Sequence, residues 1–174
     1  MTKTRKLVTI SLYVALSVVL DIVKEFLPFL NMPMGGSINI ALIPIVLCSF
    51  KLGYKEGIVV GVLWFIVSSI LGLNKYFVSF PQIICDYIIP SVVLGFSSIF
   101  YKNKKIISME IGITLMMIIR TLSLVISGAY FWYDGAAGGS LAAWTYSCVY
   151  NLPYSIASLC MLLIVVPIIN KYLV

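Results

Sequence analysis

Asp86 stands inside an apolar run, PQIICDYIIP, with Gln82 four residues before it and Pro90 four residues after it. On a helix that spacing puts Gln82 and Asp86 on one face. A proline at Pro90 has no N–H for the Asp86 carbonyl, so it frees that carbonyl and bends the chain. Asn151 lies in a second apolar run, with Ser147 and Trp144 four and seven residues before it and Tyr146 and Tyr150 on a neighbouring stripe. Pro153 frees the carbonyl of Val149, and in an earlier run Pro44 frees that of Ile40, behind Ser37 and Asn39. Arg120 sits near the middle of yet another run, either as an ion-pair partner for Asp86 or as a donor to backbone carbonyls. Between the last two runs, YFWYDGAAGGSLAAWTYSCVYN gathers Trp, Tyr and Asp around a glycine-rich bend.

Strongly polar side chains in a lipid-spanning run cost a few kcal/mol and generally face an interior cavity. Asp86, Asn151 and the aromatics fall in the same half of their runs, and together they describe a pocket. Aromatic walls, one acid and a few amides suit a flat, heteroaromatic and cationic small molecule. A ring stacks on Trp and Tyr, and a cation over such a face gains roughly 0.5–2 kcal/mol. Asp86 supplies an acceptor or a counter-charge, and Asn151 donates and accepts at once, matching an aminopyrimidine edge. Each residue also has a plainer use. Trp144 fits an interfacial aromatic belt, and Asn151 fits a bond between packed helices.

The same inventory argues against catalysis. The chain has no histidine, which removes most general-base, triad and histidine-metal schemes. It has no paired intramembrane aspartates and no GxxxxGK[ST] loop, so any ATP hydrolysis belongs to partners. The four cysteines, Cys48, Cys85, Cys148 and Cys160, lie in apolar runs without CxxC spacing and read as small hydrophobes.

The elements that must position these residues are set by hydropathy. Of 174 residues, 61% are hydrophobic and 10% charged, against about 25% charged in soluble domains; the mean hydropathy is +1.09. The expectation is an all-α membrane protein, residues 1–174 forming one domain of six transmembrane helices. The apolar stretches are roughly 7–27, 37–51, 55–73, 79–100, 106–132 and 143–170, the second short and interrupted by Pro44. The first is not followed by a small-residue cleavage site and reads as a helix, not a signal peptide.

Basic residues orient the bundle. Lys3, Arg5, Lys6, Lys51, Lys55, Lys102, Lys104, Lys105 and Lys171 fall on one side, and only Lys24 and Lys75 on the other. The positive-inside rule then places both termini in the cytoplasm and makes the net charge of +6 an orientation signal, not a nucleic-acid patch. Segments 26–37, 73–78 and 133–142 face outward, the first reading as a lid or as an ordinary connector. Ser11 and Ala15, and Gly53, Gly57 and Gly61, repeat at four-residue spacing and form small-residue faces for close helix packing.

The runs PMGGSINIALIPIVLCSFKLGYKEGIVVGVLWFIVSSILG, PQIICDYIIPSVVLGFSSIF, SGAYFW and YSCVYN arrive in an order and spacing that resemble the thiamine-specific substrate-binding (S) component of energy-coupling-factor (ECF) transporters. The resemblance covers about residues 7–170. It implies the S-component fold and capture of a vitamin from outside, without enzymatic activity or a cofactor. It also implies partnership with a transmembrane coupling protein and two ATPases, docked through Ser11 and Ala15, with the S component toppling in the membrane to release substrate inward. The loop between the first two helices would be the lid. Carried over, the acidic pocket residue falls on Asp86 and its aromatic neighbour on Tyr87. The stacking tryptophan falls on Trp132, and the last-helix residues on Tyr146 and Asn151, with Ser147 adjacent. Asp86 and Asn151 would bind the aminopyrimidine, and Trp132, Tyr87 and Tyr146 would sandwich the rings. One position departs: where the family usually has a histidine, four residues before Gly128, this chain has Leu124. The competing readings are an S component for a thiamine precursor or another heteroaromatic vitamin, and a non-transporting membrane scaffold.

Overall fold

The computed structural model describes residues 2–32, 36–73, 76–101, 105–133 and 138–173. Lys75, Lys102 and Lys104 of the charge pattern, residues 33–35 of the first connection and residues 134–137 of the glycine bend lie outside the described residues. Among the described residues there is no strand, only a single bridge between Asn31 and Ser37, and besides a three-residue 3-10 turn over Pro28–Leu30 there are six longer helices. They are α1 (Lys3–Glu25), α2 (Leu42–Leu52), α3 (Tyr54–Ile70), α4 (Phe80–Phe100), α5 (Ile106–Phe131) and α6 (Leu141–Leu173).

Helices α1, α4, α5 and α6 are long and apolar enough to cross a bilayer. The expected second span begins late. Ser37–Ile40 are not helical, because the Asn39 side chain takes the N–H of Ala41 at 3.0 Å and competes with the helix for the backbone. At 11 residues, α2 is about 16 Å long, roughly half a hydrocarbon core. It is almost wholly buried, with Leu42, Ile45, Val46 and Cys48 at the centre of the core. At its other end Gly53, with φ of 114°, makes the turn straight into α3.

Helix α3 packs on α1, α2 and the second half of α4, and α5 packs between α4 and α6. The α3–α4 contact is backbone on backbone: a Cβ at Gly57 would strike the Gly95 Cα and carbonyl, and one at Gly61 the Ser91 backbone. The glycine ladder therefore serves packing within the chain. Helix α1 packs chiefly on α2 and α3 and leaves Leu7, Leu12, Leu16 and Val19 exposed. Lys6 pairs with Glu56 to tie its start to that of α3.

Helix α4 is irregular. It opens as an α turn behind the Ser79 cap, whose hydroxyl accepts from the Gln82 N–H at 3.3 Å. It widens to a π turn over Ile84–Ile88, returns to α geometry, and tightens to 3-10 over Val93–Phe100. The wide turn falls just ahead of Pro90, which brings no N–H to close a regular turn on Asp86; instead the Ile89 N–H reaches back to the Ile84 carbonyl. Carbonyls turned out of the helix find side chains on its neighbours. Ser123 of α5 donates to Cys85 O at 2.7 Å and Arg120 to Pro90 O at 2.9 Å; Ser49 of α2 donates to Gly95 O at 2.6 Å. Arg120 thus takes the backbone role, and its guanidinium makes no salt bridge to Asp86.

Candidate functional site

At the end of the bundle away from the termini, α4, α5 and α6 splay around a cavity of about 350 Å³. That volume lies in the range of small-molecule sites. Asp86 and Tyr87 enter from the π turn of α4, and Leu124, Gly128 and Trp132 from α5. Tyr146, Tyr150, Asn151 and Tyr154 line it from α6, and Tyr76 from the α3–α4 connection.

The acid is anchored from two sides. Asp86 Oδ2 accepts from Trp132 Nε1 at 2.6 Å and from Gln82 Nε2 at 2.7 Å. Gln82 is fully buried and also binds the connection above it: its Nε2 donates to Tyr76 O at 3.3 Å and its Oε1 accepts from the Val78 N–H at 3.2 Å. Tyr87 donates its hydroxyl to the same Tyr76 carbonyl at 3.0 Å. Asp86 Oδ1 has no hydrogen-bond partner among the described residues. A carboxylate held by neutral donors keeps its charge available to a cationic guest.

The facing wall is set by Asn151. Its Oδ1 accepts from the Tyr154 hydroxyl at 2.5 Å, and its Nδ2 donates to Ser147 O at 2.9 Å and Oγ at 3.1 Å. Ser147 is fully buried, does not line the cavity, and donates to Val125 O at 2.7 Å; it holds Asn151 against α5. Gly128 permits this approach, since a Cβ there would meet the Ser147 side chain and the Asn151 amide.

Rings form the remaining surface. Tyr146 stacks on Tyr150 at 6.3 Å, and Tyr150 meets Tyr154 edge-on at 6.1 Å. Tyr76 stands edge-on to Trp132 at 6.1 Å, and Tyr87 is backed by Phe77 at 5.2 Å and Phe65 at 6.1 Å. Trp144 turns away, packing on Tyr130 at 6.0 Å. Gly36, in the connection from α1 to α2, lies against the Tyr154 ring.

Of the six residues singled out in the sequence, Asp86, Tyr87, Trp132, Tyr146 and Asn151 line one cavity, and Ser147 supports it from behind. Tyr154 and Tyr76 line it too and escaped the sequence reading. Tyr154 continues the four-residue spacing of Tyr146 and Tyr150, and that spacing was the available signal. Tyr76 sits in a short connection with no periodicity to mark it. Leu124 contributes an apolar patch to the wall where the resemblance implies a histidine. Asp21 was missed as well: it is 4% exposed inside α1, paired with Lys24 at 2.8 Å and accepting from Ser68 at 3.2 Å.

Comparison with known proteins gives one consistent answer. The family model described as thiamine transporter protein matches residues 7–173. The thiamine transporter ThiT of Bacillus subtilis is 34% identical over 185 residues, spanning 95% of this chain and 94% of the relative. A solved structure of ThiT from Listeria monocytogenes superposes with a TM-score of 0.70, covering 92% of this chain and 94% of that one; at 20% identity it establishes a shared fold. With its apolar helices, the chain is a multi-pass membrane protein of the cell membrane. The fold, the cavity and these matches agree, and the chain belongs to the thiamine transporter protein family.

Proposed function

We propose that the chain is the substrate-binding subunit of an ECF vitamin transporter, capturing thiamine from outside with high affinity for uptake driven by partner ATPases. The observation that carries this reading is Asp86, fixed by Trp132 and Gln82 in a cavity walled by tyrosines. Thiamine joins a cationic thiazolium to an aminopyrimidine. A carboxylate with a free oxygen and several ring faces answers the cation, and the Asn151 amide answers the pyrimidine edge. Asp86, Tyr87, Trp132, Tyr146 and Asn151 contact the ligand, and Ser147 orients Asn151.

Both termini lie in the cytoplasm on this reading, and the connections around Gly36 and Tyr76 close over the ligand from outside. The coupling protein docks on α1, where Ser11 and Ala15 line a shallow groove with Val18, Leu63 and Val67. Ser11 turns its hydroxyl back to the Leu7 carbonyl at 3.1 Å, so the groove presents little unpaired polarity to a hydrophobic partner.

Calorimetric titration of the purified protein in detergent tests the substrate. The expected result is thiamine binding with Kd below about 1 µM and no response to unrelated vitamins. Binding of a different heteroaromatic compound in preference to thiamine would favour the second reading, for which the apolar wall at Leu124 is the motive. No response to any such compound would overturn both.

A further inference from the structure

A groove of about 310 Å³ runs between α5 and α6 toward the end of the bundle that carries the termini. Ile107, Ile111, Leu115 and Leu163 give it apolar walls, and Glu110 and Thr114 stand among them. It shares no lining residue with the ligand cavity or with the groove on α1. Ile107, Glu110 and Thr114 follow one another at three- and four-residue spacing, so the acid lies on the same face of α5 as the apolar wall. Glu110 is half-buried, and its carboxylate makes no hydrogen bond or ion pair among the described residues. The helix dipole does not account for it: Glu110 is the fifth residue of α5, and the positive end of a helix acts within the first turn. A carboxylate among apolar side chains at membrane depth is costly without a positive partner that donates to it. The groove calls for an occupant that is apolar along its length and carries a donor cation at one end.

The surroundings say which occupant. Ile118 and Leu122 of α5 and Ile164 and Ile168 of α6 are exposed apolar side chains, so this face borders acyl chains. From Ile107 to Leu115 the α5 wall is about 12 Å long, close to the roughly 15 Å of hydrocarbon in one leaflet. Helix side chains lean toward the N-terminus, which carries the Glu110 carboxylate outward to the level of the head groups. Lys105, exposed at the start of the same helix, offers a positive charge to a phosphate there. A zwitterionic head group with a primary ammonium answers both charges, whereas an anionic head group answers only Lys105.

We propose that this groove seats one phospholipid of the leaflet that the termini face, its ammonium head group on Glu110 and an acyl chain along Ile107, Ile111, Leu115 and Leu163. The assignment is independent of the thiamine reading. Phosphatidylethanolamine and phosphatidylglycerol with identical acyl chains are titrated into the detergent-solubilised protein, and bound lipid is counted by native mass spectrometry for the wild type, Glu110→Gln and Leu163→Trp. The wild type should bind phosphatidylethanolamine about tenfold more tightly than phosphatidylglycerol. Glu110→Gln keeps the shape of the groove, and the preference should shrink to about threefold or less. Leu163→Trp fills the groove and should weaken both lipids about fivefold or more. Equal affinity for the two lipids on the wild type, or a preference unchanged in Glu110→Gln, would remove the head group from Glu110 and overturn the proposal. Binding of both lipids unchanged in Leu163→Trp would place the lipid elsewhere and overturn it too. A wild type that holds neither lipid would leave the groove to a basic residue of a protein partner.

Discussion

Trp132 Nε1 lies 2.6 Å from Asp86 Oδ2 and bonds the end of α5 to the wide turn of α4. The bond fixes both the indole ring and the acid in the cavity wall, and preorganisation of that kind lowers the ordering cost of binding. Asp86→Asn keeps the shape but removes the charge, and thiamine affinity should fall about 10- to 100-fold. Trp132→Phe keeps a ring, frees Asp86 to move, and should cost about tenfold. Calorimetry reads both, and equal affinity in Asp86→Asn would remove the acid from the site.

Tyr154 acts at one remove, through Asn151. Tyr154→Phe deletes the hydroxyl that holds the Asn151 amide. Thiamine binding should weaken roughly fivefold, the equivalent of about 1 kcal/mol, while Asn151→Ala should weaken it more. The two effects should fall short of additive in the double variant, because both residues serve one contact. Full additivity would place Tyr154 in an independent contact.

Leu124 offers a gain-of-contact experiment. It is 9% exposed on the cavity wall. Leu124→His places a polar donor and acceptor there, and thiamine should bind about tenfold more tightly if the pyrimidine lies against α5. Weaker binding would mean that this cavity is shaped around an apolar neighbour at that point.

The helices of the bundle were legible in the sequence because long apolar runs have little choice in a bilayer. Asp86 and Asn151 were legible because polar residues in such runs are conspicuous, and Tyr87 and Trp132 came from the family resemblance. Three things were hidden. The start of α2 depends on a side-chain bond from Asn39 to Ala41 that hydropathy does not register. Asp21 carries the same signal as Asp86, a charged residue inside an apolar run, and was passed over; its pairing with Lys24 one turn on shows only in the structure. Tyr76 reaches the cavity only because Gln82 and Tyr87 both bind its carbonyl across the turn, a contact with no counterpart in linear spacing.

The α3–α4 seam should be the most size-sensitive place outside the site. A methyl at Gly95 would run into the Gly57–Ile58 backbone. Gly95→Ala should lower stability by about 1–3 kcal/mol, visible as a drop in the melting temperature of the detergent-solubilised protein. Ligand affinity, measured well below that temperature, should change little. An unchanged melting temperature would show that the two helices can part at no cost.

The π turn over Ile84–Ile88 has a consequence for the phase of α4. Each residue of a regular helix advances the side chains by about 100°, and a π turn holds one residue more than an α turn. The helix before it and the helix after it are therefore out of step. Asp86, held by Gln82, points its carboxylate at Trp132, while Ser91 and Gly95, one and two turns further on, lie flush against α3. A uniform helix would have to choose between gripping a guest and closing the seam. Deleting one residue from this turn would bring the two halves back into phase, and the protein would lose one surface or the other.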